Sequence, residues 1–289
     1  MTTSNSTTAP SHRTQDSPVS SSHESQDLQL QNRIPVSKLP LSLVIVTYNE
    51  ERNLVRCIES VPMASEIIVV DSLSTDATVK IAEKYQAKVY AQAFLGFGKQ
   101  KKLATDYASH DWVLSLDADE ALSTELQQEL MQRFTRLDPQ CGYRLPRRSF
   151  HLGRWIRHGG WYPDYQLRLF NKKHSQWKEV EIHESVVSPK VDRFQTPILH
   201  WVFRDLSHQV ITNDKYSSLQ AKELFLKNKK FSWAKLWTKP PTKFIECYFW
   251  KLGFLDGVAG LFIAISASYS VFLKWAKLWE LERNVNKSV

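Results

Sequence analysis

At 289 residues the chain is long enough for one large domain with additions, and it can bury a full core. A formal charge of +8 and a pI near 9.3 point to an anionic partner: a nucleotide, a phospholipid or nucleic acid. Cys57, Cys141 and Cys247 are widely spaced and form no C-x-x-C pair, which argues against a disulfide framework and against a zinc site.

Residues 1–37 are rich in Ser, Thr and Gln and poor in large apolar side chains. Such a segment buries too little surface to offset chain entropy, so a disordered tail is expected. It lacks the apolar centre of a secretory signal, and a cytoplasmic protein is expected.

From Leu41 the pattern changes. "LSLVIVTYN" reads as a β-branched strand ending in polar residues, and "EERNLVRCIESV" as a helix with Leu54, Ile58 and Val61 on one face. "EIIVVDS" is a second buried strand ending at Asp71, and "STDATVKIAEKY" a helix that Ser74 or Asp76 can cap. "AKVYA" reads as a third strand, "GKQKKLATDYAS" as a helix, and "WVLSLDAD" as a fourth strand followed by a helix over Ser123 to Leu137. Fully apolar strands alternating with helices imply an α/β fold, a parallel sheet covered on both faces. Ligands of such sheets bind beyond the carboxyl ends of the strands. Thr47, Tyr48, Asn49, Glu50, Asp71, Asp117 and Asp119 all collect there.

The first turn, "TYNEERN", has no glycine, so it matches neither the dinucleotide fingerprint nor the P-loop. Phosphates would have to be neutralised otherwise. A divalent metal, Mg²⁺ or Mn²⁺, on Asp117 and Asp119 would do it, since both ions take carboxylate oxygen and leave positions for substrate phosphate. The plainer alternative is that these acids cap the helix that follows.

"SLVIVTYNEERNLVRCIESV", "EIIVVDSLSTDAT" and "WVLSLDADE" resemble the blocks of family 2 glycosyltransferases. "FHLGRWIRHGGWYPDYQLRLF" and "VEIHESV" resemble more narrowly the bacterial β-1,4-glucosyltransferases of the lipopolysaccharide inner core. The resemblance runs from Pro40 to Arg283. It implies a GT-A-type nucleotide-binding sheet and transfer of a sugar from a UDP-sugar, glucose foremost, to a lipid-linked glycan.

Carried over by residue, the resemblance gives Thr47 and Tyr48 to the base and ribose, with Asn49 and Glu50 completing that turn. Asp71 contacts uracil or ribose. Asp117 and Asp119 form the D-x-D, one acid on ribose or metal and the other on the metal. Lys101 stands where relatives often have Arg, on the sugar-phosphate side, and Lys102 where many have Asn. Inverting transfer needs a base. Asp164 of "PDYQLRL" stands at the position of the family's "ED" acid, with Pro163 replacing the Glu, and Glu184 of "IHES" is the second candidate. Arg168 would pair with the base carboxylate or with phosphate. "HGGWYP" reads as a mobile lip, and His183 or His200 as structural, or as completing the metal site or touching the acceptor.

Beyond Lys215 lysines and aromatics interleave, followed by the apolar run Gly253 to Leu273, which contains Asp256. Its length suits a spanning helix. Asp256, three glycines and several serines weaken that reading, since a carboxylate within a membrane is costly, and Lys-rich flanks with abundant Trp suit instead helices lying in the headgroup layer of an anionic membrane. A helical lid on the catalytic domain is the further alternative. The expected divisions are thus a tail (1–37), a nucleotide-sugar half (38–147), an acceptor and catalytic half (148–214) and an amphipathic helical segment (215–289). The protein would sit peripherally on the inner face of the plasma membrane. A nucleotidyltransferase, or a non-catalytic basic protein binding membrane or nucleic acid, is the competing reading. The first lacks its Gly-rich turn and the second any nucleic-acid motif, so no nucleic-acid partner is expected.

Overall fold

The computed structural model describes residues 1, 37–178 and 185–287, the side chains as far as 284. The tail expected over 1–37 lies almost wholly outside the described residues, as do His183 and Glu184.

The strands are β1 (Leu39–Thr47), β2 (Ala64–Asp71), β3 (Lys88–Ala91), β4 (Trp112–Asp117), β5 (Glu120–Leu122), β6 (Cys141–His151), β7 (Arg154–Trp155), β8 (Asp164–Asn171), β9 (Gln176–Trp177), β10 (Val186–Val187), β11 (Lys190–Arg193) and β12 (Ile198–His200). The helices are α1 (Leu54–Glu59), α2 (Thr78–Lys84), α3 (Phe97–Asp106), α4 (Thr124–Arg133), α5 (Leu206–Leu226), α6 (Trp233–Ile245) and α7 (Gly257–Lys287).

One curled mixed sheet runs in the order β3-β2-β1-β4-β8-β6-β12-β5. The first four strands are parallel, and β8 is antiparallel to both β4 and β6. The β-branched runs are strands because both their faces are covered. In β1, Leu41, Leu43 and Ile45 enter one core and Val44 the other; Leu114 and Val113 of β4 divide in the same way. Each such side chain, fully buried, contributes about 1.5–3 kcal/mol of burial free energy. This is the α/β sheet with a parallel nucleotide half expected from the sequence, closed by antiparallel strands.

Strand order reverses between β1 and β4, so a crevice opens at their carboxyl ends. Positions 147 and 215, expected as divisions, fall inside β6 and α5.

The C-terminal segment is helical, as expected. Leu236 of α6, Ala221 of α5, and Trp275 and Leu278 of α7 share one apolar cluster. The helix over Gly253–Asn284 is long and apolar enough to cross a membrane, an 18-residue stretch of it having a mean hydropathy of 1.6. Asp256, however, is withdrawn from the surface, at 1 % exposed. Its carboxylate accepts from the backbone N–H groups of Arg157 (3.0 Å) and His158 (2.7 Å). The Gly159 N–H donates to the Lys251 carbonyl (2.8 Å). The "HGGWYP" segment, expected as a mobile lip, is instead stapled to the C-terminal helices. The acid that argued against a spanning helix is the staple.

Candidate active site

The β1 turn is built by reciprocal hydrogen bonds with the β2 turn. Thr47 Oγ1 donates to Asp71 Oδ1 (2.8 Å), and the Ser74 N–H donates to Asp71 Oδ2 (2.7 Å). Asn49, at φ 55°, receives the Thr75 N–H on Oδ1 (2.9 Å) and gives its own N–H to Ser74 Oγ (2.8 Å). Asp76 Oδ1 accepts the Thr78 N–H (3.0 Å), the helix-start role expected of it. Asp71 is buried, and its oxygens are engaged by its own neighbours. Thr47, Tyr48 and Glu50 line a cleft of about 910 Å³, within the range of small-ligand pockets. Asn49, exposed, and Asp71, buried, do not line it and instead brace the turn through the bonds above.

Asp117, Asp119, Lys101, Arg168 and His200 line the same cleft. The helix-capping alternative for the D-x-D fails, because Ser123 Oγ accepts the Leu126 N–H (3.2 Å) and caps α4 itself. Lys101 Nζ lies 2.8 Å from Asp117 Oδ1, and Arg168 Nη2 2.5 Å from Oδ2. Burial pushes the Asp117 carboxyl up, but Arg168 and then Lys101 outweigh it and hold it well below the usual range. Lys101 is therefore directed onto the D-x-D itself. Lys102 pairs with Asp106 at the surface (2.8 Å).

Asp119 points elsewhere. Its Oδ2 lies 3.3 Å from His200 Nε2, and His200 Nδ1 lies 3.2 Å from Ser149 Oγ. Of the readings open for His200, the structure brings it to the acid pair. Glu50 faces the same region: burial raises its pKa, the Asn53 hydrogen bond opposes this, and the Asp119 charge adds to the rise.

Two residues unassigned from the sequence connect the halves of the site. Glu120, fully hidden from solvent, accepts from Arg168 (2.7 Å), Arg147 (3.2 Å) and the Asp117 N–H (3.1 Å). Arg147 also donates twice to Asp164 Oδ2, from Nη2 (2.7 Å) and Nε (3.0 Å). Gln166 Nε2 holds the other Asp164 oxygen (2.8 Å). Arg147 and Gln166 line the cleft, with Asp164 next to them at the start of β8. Arg168 thus pairs with Asp117 and Glu120, and Arg147 takes the partnership with Asp164. "RLPRR" was the available signal, three arginines on one strand, β6. Glu184 lies outside the described residues.

Carboxylates and an imidazole meet at the switch point of a curled α/β sheet, the place where ligands of such sheets bind. Residues 42–193 match the domain described as Glycosyl transferase family 2. The chain is 35% identical over 261 residues to an uncharacterized glycosyltransferase of Rickettsia typhi, covering 85% of this chain and 89% of that one. It is 30% identical over 253 residues to the lipopolysaccharide core biosynthesis glycosyltransferase LpsC of Rhizobium meliloti, covering 85% and 94%. Among solved structures, S. aureus TarS in complex with UDP is 13% identical at a TM-score of 0.43, covering 85% of this chain and 92% of that one. The chain belongs to glycosyltransferase family 2 and is a glycosyltransferase.

Proposed function

We propose that this enzyme transfers a sugar, glucose from UDP-glucose foremost, with inversion, to a lipid-linked glycan of the cell envelope such as lipopolysaccharide core. The observation that carries the reading is the placement of Asp117 and Asp119 at the end of β4, in one cleft with the β1 turn. The likeness to LpsC supports the acceptor class.

Among the described residues no three His, Cys, Asp or Glu side chains form a closed metal cage. The donor set nonetheless fits a divalent ion that keeps positions for phosphate. Asp119 and His200 offer a carboxylate and an imidazole beside the cleft, and Asp117 is the acid next to them. Mg²⁺ or Mn²⁺ held there would supply charge stabilisation to the departing diphosphate. Thr47 and Tyr48 would receive the nucleoside, with Asp71 and Asn49 fixing the turn that presents them. Lys101 and Arg168 hold Asp117 ionised and in place.

The acceptor hydroxyl would attack the anomeric carbon as its bond to the diphosphate breaks. Asp164 would take the hydroxyl proton. In that role the carboxylate exchanges a contact with Arg147 or Gln166 for the acceptor. Glu184 is the second candidate.

The outer face of α7 carries exposed Val258, Phe262, Ile265, Tyr269 and Phe272, and α6 exposes Trp233 and Trp237. With one side of α7 packed on α5 and α6, this arrangement supports a helix lying in the headgroup layer on the cytoplasmic side. The test is a panel of UDP-, GDP- and dTDP-sugars, assayed for turnover with and without Mn²⁺ and EDTA. Mn²⁺-dependent turnover of a UDP-sugar is expected; turnover indifferent to EDTA would refute the metal reading.

A further inference from the structure

A second cavity, about 630 Å³, lies among α5, α6 and α7. Lys239, Lys243 and Lys274 line it together with Asn213, Gln220 and Ser270. Trp161 and Trp275 supply aromatic surface to the same walls. Lys243 pairs with Glu246 (3.1 Å). Among the described residues neither Lys239 nor Lys274 has a carboxylate partner. Three ammonium groups therefore share one cavity with a single acid.

Like charges gathered beside a half-buried cavity cost free energy unless an anion joins them. Burial, and then the charges of Lys243 and Lys239, lower the pKa of Lys274. Lysine is a point-charge partner for phosphate. Amide and hydroxyl side chains match sugar hydroxyls, and aromatic faces match sugar rings. The cavity also adjoins the donor cleft: Phe203, Asn213 and Gln220 line both. It lies to one side of the exposed apolar stripe of α7: at about 100° per residue, Phe262, Ile265, Tyr269 and Phe272 stay within about 40° of Val258 around the helix, whereas Ser266, Ser270 and Lys274 stand about 80–160° from it.

We infer that this cavity is a subsite for a phosphorylated sugar of the acceptor glycan, with Lys239 and Lys274 binding the phosphate monoester. The inference rests on the glycosyltransferase reading above and names the chemistry of its acceptor. The lysines anchor the charged sugar, and a neighbouring sugar reaches the donor cleft through the boundary formed by Phe203, Asn213 and Gln220.

The test titrates the full-length protein with maltose 1-phosphate as a soluble probe. Maltose, inorganic phosphate and phosphatidylglycerol vesicles separate the possible sources of binding. Maltose 1-phosphate is expected to bind more tightly than maltose or inorganic phosphate. The Lys239→Gln/Lys274→Gln pair should weaken it by at least about tenfold, as for loss of charge-assisted hydrogen bonds. The Lys239→Arg/Lys274→Arg pair should retain it, and UDP affinity should be unchanged in both variants. Absence of maltose 1-phosphate binding, or unchanged affinity in the Gln pair, overturns the assignment. So does equal binding of maltose or of inorganic phosphate. Competition by phosphatidylglycerol vesicles would make the cavity a lipid headgroup site and overturns it as well. UDP-glucose hydrolysis on the same samples keeps the two readings apart. Hydrolysis without sugar-phosphate binding removes only the subsite, and binding without any UDP-sugar turnover removes only the donor reading.

Discussion

Glu120, fully buried, receives Arg168 Nη2 at 2.7 Å, and through that arginine it is tied to Asp117. The acid behind the D-x-D thus sets the position of the acid within it. Replacing one member of a buried charge network leaves the partner charges uncompensated, at about 3–5 kcal/mol. Glu120→Gln should lower the unfolding free energy, read from urea titration, by an amount in that range and raise the KM for donor. A variant with wild-type stability and donor KM would show that the network is dispensable.

Asp164→Asn preserves shape and hydrogen-bonding reach but cannot take a proton. Transfer should fall by the roughly 10²–10⁴-fold typical of a lost general base. UDP binding should be nearly normal, and Glu184→Gln should do less harm to the chemical step. The reverse ranking, read from single-turnover rates, would move the base to Glu184.

Gly260 marks where α7 crosses the segment before it. A Cβ there would come 1.8 Å from the Gly253 carbonyl oxygen, which is backbone and cannot yield as a flexible side chain does. Gly260→Ala should therefore destabilise by at least the roughly 1–3 kcal/mol of ordinary overpacking. UDP affinity of the folded fraction should be unaltered. An unchanged melting temperature would mean that the staple around Asp256 is not rigid.

Glu66 gives an acid limb to stability. Burial raises its pKa, but Lys88, Ser109 and Ser42 together bring it down to about 2. A carboxyl depressed on folding stabilises above its unfolded pKa, near 4.5, and loses that contribution as pH falls through about 2. Glu66→Gln should flatten the decline of stability across that window and lower stability at pH 7. Parallel wild-type and variant curves of melting temperature against pH would contradict this.

Much of the sheet was legible because burial on both faces leaves a continuous apolar run, as in Leu43 to Val46 and Ile67 to Val70. The D-x-D was legible for the same reason: charge at the end of such a run is conspicuous. Helices were less so; "EERNLVRCIESV" is α-helical only over Leu54–Glu59, because Glu50 to Asn53 are held in the β1 turn. The charge network was hidden by separation along the chain. Glu120 meets Arg147 from 27 residues away and Arg168 from 48. Asp256 meets the His158 backbone across 98 residues, so an acid that looked misplaced in an apolar run gave no sign of its partners. His200 carried no pattern at all until the β12–β5 pairing set it against Glu120, one residue from Asp119.

On the function proposed above, Asp119 with His200 makes nucleotide binding depend on a divalent ion. Titration calorimetry of UDP with and without Mn²⁺ tests it most directly, on wild type, Asp119→Ala and His200→Ala. Mn²⁺ should strengthen UDP binding to wild type and have little effect on Asp119→Ala, with His200→Ala between them. UDP affinity that is indifferent to Mn²⁺ in wild type, or enhanced equally in Asp119→Ala, would contradict the account.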